Sequence, residues 1–154
     1  MRTDRRVFIK TAALSAVLLG SGTGAAFAST ADVMAIGTGL DTDRAFARGA
    51  AARLLPAPLS SAGGFESLVK TMGAAHGGLF LALAEPAMAL LVEEAAMDCR
   101  LGVISRTAFN APQGEDQAAW AHSIGRLLAL GADPALLAAK SSSAGRAYIA
   151  LSLR

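Results

Sequence analysis

The apolar and polar positions of the chain alternate between short, nearly uninterrupted apolar runs and longer stretches with helical spacing. The short runs predict four strands, at residues 32–37, 79–84, 103–109 and 146–154. Apolar residues that recur at i, i+3 and i+4 predict helices over residues 41–55, 65–75, 86–100, 115–130 and 133–139. The main elements follow the order β-α-α-β-α-β-α-β. This order predicts a single small domain of the α/β (or α+β) class, with a four-stranded sheet flanked by helices.

Proline and glycine fix several of these boundaries. Pro56 ends the first predicted helix, which runs out to Leu55. Residues 79–84 are compatible with a buried strand or with the first half of a long buried helix. Pro86 favours the strand, because it disfavours helical geometry at Glu85 and suits the first position of a new helix. The last strand alternates in a way that predicts burial mainly on one face.

The first 28 residues have a different pattern. A basic start precedes an apolar core over Ala12–Leu19, and Ala26-Phe27-Ala28 forms a small-x-small cleavage site before Ser29. This is typical of a secretory signal, since a membrane-spanning helix needs about 20 predominantly apolar residues. The sequence therefore predicts a cleavable signal over 1–28 and one globular domain over 29–154. Retention of the signal as a membrane anchor is the alternative.

The basic start carries a specific motif, Arg5-Arg6-Val7-Phe8-Ile9-Lys10. It resembles the twin-arginine (Tat) signal, whose pattern is Ser/Thr-Arg-Arg-x-Phe-Leu-Lys. Arg5, Arg6, Phe8 and Lys10 match, whereas Ile9 replaces Leu and the preceding position is Asp. An ordinary secretory signal with two arginines is the alternative. The resemblance implies recognition by the Tat export machinery and delivery of an already folded protein to the periplasm, often one that carries a cofactor or a partner.

Charge and cysteine content limit the functions of the predicted domain. The signal holds four of the 14 basic residues and one of the 12 acidic ones, so the remainder has a net charge of −1. Without a basic cluster, nucleic acid is not an expected partner, and membrane contact is expected only through the signal. The single cysteine, Cys99, excludes an intramolecular disulfide and any Cys-based zinc or iron–sulfur site. It is expected to be buried and inert.

Two motifs suggest chemistry. Gly37-Thr38-Gly39, between a predicted strand and helix, is similar to a dinucleotide-binding turn, but Thr42 takes the third glycine position and two aspartates flank it. Ala121-His122-Ser123-Ile124-Gly125 resembles the Gly-x-Ser-x-Gly nucleophile elbow, with His76-Gly77-Gly78 as an oxyanion-hole turn. Because Ser123 falls in a predicted helix and no histidine follows it, a helical serine is favoured over a nucleophile.

Metal and cofactor sites are not predicted. His76 and His122 are the only histidines, and neither stands at a recognised ligand spacing from the other or from Cys99. Met34, Met72, Met88 and Met97 are expected to fill the core. The stretch from Lys140 to Arg146 is expected to be a solvated loop rather than an anion cradle.

The sequence favours a non-catalytic accessory or binding protein of the periplasm, whose expected partner is an exported redox enzyme subunit. Such a protein needs an exposed apolar patch of roughly several hundred Å². The alternative is a small periplasmic ligand-binding domain or a hydrolase-like enzyme. It would use the loops around His76–Gly78 and His122–Ser123, together with the strand-end loops Gly37–Asp41 and Asn110–Gly114.

Overall fold

A computed structural model describes residues 32–75, 77–112, 116–135 and 145–154. The strands in these ranges are β1 (Val33–Gly37), β2 (Arg53–Pro56), β3 (Leu79–Ala84), β4 (Val103–Asn110) and β5 (Ala147–Leu153). The helices are α1 (Asp43–Gly49), α2 (Gly64–Ala74), α3 (Pro86–Asp98) and α4 (Gln117–Ala129). None of the described helices is both long enough and apolar enough to cross a bilayer.

The five strands form one mixed sheet in the order β2-β1-β3-β5-β4. β1 pairs in parallel with β2 and β3, whereas β5 runs antiparallel to both of its neighbours, β3 and β4. Only β5 therefore runs against the other four strands. A register shift between Val103 and Ser105 interrupts the outermost pairing, next to a 2.6 Å contact between the hydroxyls of Ser105 and Ser152.

Helices cover both faces of the sheet, so the molecule is a three-layer α/β domain. Alternate residues of β1 enter two separate cores, with Met34 and Ile36 on one face and Ala35 on the other. On the first face the strands pack against α2 and α3, whose buried residues include Leu68, Met72, Val92 and Ala96. On the second face they pack against α1 and α4, whose buried residues include Phe46, Ala121, Ile124 and Leu128.

On the second face, α1 and α4 cross in close contact through two glycines. A Cβ atom on Gly49 would collide with the backbone carbonyl of His122, and a Cβ on Gly125 would collide with the carbonyl of Phe46. Each helix therefore places a glycine against the backbone of the other. This close approach fixes α1 above the sheet and positions the loop that precedes it.

Most of the predicted elements are confirmed to within a few residues, and residues 79–84 form a strand. The first predicted helix, over residues 41–55, is wrong in its second half. α1 ends at Gly49, Ala51 takes a positive φ of 49°, and the chain then enters β2. Leu54 and Leu55 fit a helical spacing from Phe46, but they pair with Ala35 and Ile36 of β1. The sheet therefore has five strands in the order β-α-β-α-β-α-β-α-β.

The environment of β5 also differs from the prediction. This strand lies between β3 and β4, and all its residues from Tyr148 to Leu153 are buried. Because Ala150 and Ser152 alternate with larger residues, the sequence predicted that they would face solvent. In the structure these small residues point to the second face and are buried. The predicted signal over residues 1–28, His76 and most of the predicted helix over 133–139 lie outside the described residues.

Candidate functional site

The loop after β1 closes around the side chain of Asp43. The Asp43 Oδ2 atom accepts hydrogen bonds from the backbone N–H groups of Gly39 at 2.9 Å and Leu40 at 3.0 Å. Gly37 leaves room for this carboxylate, since a Cβ there would lie 3.3 Å from Oδ2. The carboxylate thus occupies N–H groups that a bound phosphate would need. The Gly37-Thr38-Gly39 turn is consequently a strand-to-helix connection stabilised by its own aspartate.

Burial raises the pKa of Asp43, and the backbone N–H groups of Gly39, Leu40 and Thr38 oppose that rise. Two threonines in the same loop, Thr38 and Thr42, are buried, and their hydroxyl oxygens have no hydrogen-bond partner among the described residues. Ordered water is the usual partner of such buried hydroxyls. Thr38, Thr42 and Asp43 therefore form a buried polar group inside a loop whose Gly39 and Asp41 are exposed.

The carboxyl ends of β1 and β3 form a switch point in the sheet. The chain leaves β1 through α1 on one face and leaves β3 through α3 on the opposite face. In open α/β sheets, ligands bind in the crevice at such a point. Here the crevice is bordered by the Asp43 loop and by Glu85, whose carboxylate lies 2.8 Å from the Nε atom of Arg146. The three charged groups Asp43, Glu85 and Arg146 are thus engaged within the chain, whereas the hydroxyls of Thr38 and Thr42 are not.

The loops that the ligand-binding or hydrolase-like alternative would use do not all lie at this edge. Gly37–Asp41 and Asn110 lie at the carboxyl ends of their strands, whereas Gly77 and Gly78 precede β3 and lie at the opposite edge. Ser123 lies within α4, and its hydroxyl donates to the Ala119 carbonyl at 3.0 Å. The helical position that the sequence favoured for Ser123 is confirmed. His122, the next residue in the proposed constellation, is exposed on the same helix.

Cys99 is half-buried, and its thiol donates to the carbonyl of Val69 at 3.2 Å. Burial, and to a smaller extent the charge of Asp98, raise the pKa of this thiol. The protonated form is therefore favoured, and with it the structural role that the sequence indicated. No group of three or more His, Cys, Asp or Glu side chains within the described ranges is arranged to hold a metal ion.

Most of the large apolar side chains that are exposed in the described part of the chain belong to α3 and β4. Leu90 and Met97 on α3 are 60% and 67% exposed, and Val103 and Ile104 on β4 are 49% and 55% exposed. We call these four residues the α3–β4 surface. Among the described residues they are four of the five large hydrophobic side chains that face solvent; the fifth, Leu130, follows α4.

An ion pair connects the two elements of this surface. The Nε atom of Arg106 on β4 donates to Oε1 of Glu93 on α3 at 2.8 Å. Leu90 and Met97 lie three residues before and four residues after Glu93, so they follow the same stripe of the helix. The α3 stripe that borders β4 therefore carries two exposed apolar side chains around one ion pair.

Sequence reasoning missed most of this surface. Met97 was expected in the core, and that expectation is wrong. Around the helix it lies about 140° from Val92 and about 100° from Ala96, both of which are buried. The signal was present in the spacing, since Leu90 and Met97 are seven residues apart and fall outside the stripe that Ala89, Val92 and Ala96 define. Met34 and Met72 are buried as predicted.

No family model, curated protein or solved structure matches this chain.

Proposed function

We propose that this protein is a non-catalytic binding protein of the periplasm, exported by the twin-arginine route, which holds a partner protein against its α3–β4 surface. The observation that carries this proposal is that four of the five exposed large apolar side chains among the described residues lie on α3 and β4, which the Glu93–Arg106 ion pair connects. Exposed apolar groups that cluster in one area favour association, because their burial against a partner removes them from water.

The residues around the exposed groups suit a protein partner. The ion pair between Glu93 and Arg106 lies between Leu90 and Met97, and its two charges neutralise each other. A partner that covers this surface therefore meets apolar side chains and a charge pair that is already matched within the chain, and protein-binding sites commonly combine apolar and polar contacts. By contrast, the charged groups at the switch point, Asp43, Glu85 and Arg146, are already engaged within the chain, and the only polar side chains described there without a partner are the buried hydroxyls of Thr38 and Thr42. This contrast favours the accessory hypothesis over the ligand-binding alternative.

The export signal supports the periplasmic part of the proposal. Arg5, Arg6, Phe8 and Lys10 match the twin-arginine pattern, and cleavage between Ala28 and Ser29 would release the domain. Because that route carries folded proteins, the partner that we propose is an exported redox enzyme subunit assembled before or after transport. In this scheme the domain itself needs no cofactor.

Fractionation of cells that produce the full chain tests the export step. We expect a periplasmic protein whose N-terminus is Ser29, and we expect the Arg5→Lys, Arg6→Lys double variant to remain in the cytoplasm. Intact mass spectrometry of the periplasmic protein reads out both the cleavage site and any bound group. Export of the double variant at the normal level would overturn the twin-arginine route.

Affinity purification of the exported protein tests the binding step. We expect one redox enzyme subunit to co-purify at a fixed ratio, and the Leu90→Gln, Met97→Gln variant to lose it. Leu130→Gln is the matched control, since Leu130 is 47% exposed but lies outside the α3–β4 surface. Equal recovery of the subunit by both variants would overturn the docking surface. A stoichiometric cofactor in the protein itself would overturn the accessory role.

A further inference from the structure

The outer edge of β4 carries backbone groups that pair with no strand in the described part of the chain. The hydrogen bonds between β4 and β5 determine which residues of β4 direct their backbone groups outward. Ala111 donates to the carbonyl of Arg146, and the register places Asn110 opposite Ala147. Because bonded and non-bonded positions alternate in antiparallel pairs, the N–H and C=O groups of Arg106, Ala108 and Asn110 point away from β5.

The two edges of the sheet differ in how they are protected. β2, at the opposite edge, has four residues and ends at Pro56, which cannot donate a hydrogen bond. β4 has eight residues, contains no proline and carries one charged side chain, Arg106. Folded proteins commonly block an open edge with short strands, charges, proline or β-bulges. The register shift of β4 lies between Val103 and Ser105, so residues 106–110 remain a regular edge that can pair with another strand.

We propose that β4 pairs with β4 of a second copy of this chain, antiparallel and about a two-fold axis that passes beside Ala108. This register places Ala108 opposite Ala108 of the second copy, and Arg106 opposite Asn110 in both directions. Arg106, Ala108 and Asn110 of one copy thus pair with the same three residues of the other copy. This pairing gives roughly six backbone hydrogen bonds between the copies.

Charge also favours a second copy in this register. A two-fold axis doubles every charge at an interface, and like charges directly opposite each other are destabilising. Here Glu93 of the same molecule neutralises Arg106. Moving the axis by two residues would place Arg106 opposite Arg106, whereas the register at Ala108 places each guanidinium beside an asparagine amide that can accept a hydrogen bond. Exposed Ala108 leaves the centre of the pairing free of bulky side chains.

Pairing of the two sheets would also join their α3–β4 surfaces. α3 contacts both β3 and β5, so four strand spacings, about 19 Å, would separate it from its symmetry mate. Helices pack at about 8–10 Å from one another, so one helix of a partner fits between them. The role of the groove between the two α3 helices rests on the function proposed above, whereas the strand pairing does not.

Self-association of the purified protein, in the absence of any partner, tests the strand pairing. By sedimentation equilibrium we expect a dimer, and we expect Ala108→Glu to be monomeric because it places two carboxylates opposite each other. Ala118→Glu, an equal charge change at an exposed position of α4, should remain dimeric. Circular dichroism shows whether each variant is folded. A monomeric wild type, or a dimer of the same stability in Ala108→Glu, would overturn the proposal.

Cysteine cross-linking tests the register without disturbing the edge. In a Cys99→Ala background, Ala108→Cys should form a covalent dimer on mild oxidation, since facing residues of a bonded pair have Cα atoms about 5.5 Å apart, within disulfide range. Thr107→Cys should not, because the same register puts Thr107 opposite Phe109. Equal cross-linking of both variants would overturn the register. Loss of partner binding with the dimer intact would overturn the proposed function alone.

Discussion

The backbone of Gly49 lies directly against the carbonyl of His122, with no space for a side-chain carbon between them. Gly125 makes the reciprocal contact with the carbonyl of Phe46. The two glycines allow α1, which has only seven residues, to pack tightly on α4. Since α1 positions the Asp43 loop, this crossing links helix packing to the shape of the carboxyl edge of the sheet.

Alanine at either glycine should separate the two helices. We expect Gly49→Ala and Gly125→Ala each to lower the free energy of unfolding by about 1–3 kcal/mol, because the added methyl meets backbone that cannot move away cheaply. Gly73→Ala is the matched control on α2, where a Cβ would lie 3.8 Å from the Cys99 sulfur. It should be neutral or stabilise by up to about 1 kcal/mol. Denaturant unfolding measures all three, and equal effects would contradict the crossing.

Asp43 should make stability depend on pH in a defined direction. Its pKa is raised above 3.8, so the folded protein keeps the proton in a range where the unfolded chain has lost it. The contribution of Asp43 to stability therefore falls as pH rises from about 3.8 through the folded-state pKa. Asp43→Asn removes this dependence while keeping an oxygen acceptor for Gly39 and Leu40.

The comparison of wild type with Asp43→Asn by thermal unfolding at several pH values checks this expectation. The variant should gain stability relative to wild type as pH rises through the window. Asp43→Ala, which leaves two N–H groups without an acceptor, should lose about 1–3 kcal/mol. A difference between wild type and Asp43→Asn that stays constant with pH would show that Asp43 is not desolvated.

Cys99 should react slowly with thiol reagents. Its hydrogen bond to Val69 and its raised pKa both reduce the fraction of reactive thiolate at neutral pH. We expect labelling of the native protein to be slower than that of the unfolded chain, and to accelerate only at pH values above the usual thiol pKa. Labelling at the rate of a free thiol at pH 7 would contradict this description of the site.

The Glu93–Arg106 ion pair should matter more for association than for folding. The Arg106 side chain is 46% exposed and that of Glu93 is 18% exposed, so Glu93→Gln should change stability by no more than about 1 kcal/mol. It should weaken the dimer, most at low salt, because each Arg106 then brings an uncompensated charge to the two-fold axis. Glu94→Gln is the control on the same helix, and an equally weakened dimer there would contradict the specific role of Glu93.

Local sequence signals predicted the elements that are bounded by strong chain breaks. β3 lies between Gly78 and Pro86, and α3 begins at Pro86, so both follow from the sequence. β2 could not be predicted in the same way. Its four residues are only half-buried or exposed at the edge of the sheet, and their pairing with β1 is a tertiary contact that leaves no local period.

The candidate site was less predictable than the fold. The absence of a strand before Ser123 argued correctly against the nucleophile elbow. The capping of the Gly37–Leu40 turn by Asp43 depends on the course of the loop, although the flanking aspartates already argued against phosphate. The position of Met97 outside the buried stripe of α3 was visible in the spacing, whereas the proximity of Met97 to β4 depends on the order of strands in the sheet.

The affinity of the purified domain for its co-purifying subunit, with and without the α3–β4 side chains, tests the central claim most directly. Removal of apolar anchors from the centre of a binding site typically weakens binding by tenfold or more. We therefore expect a loss of about tenfold or more for Leu90→Gln, Met97→Gln and an unchanged affinity for Leu130→Gln. Unchanged affinity in both variants, with both folded, would contradict the claim that this surface holds the partner.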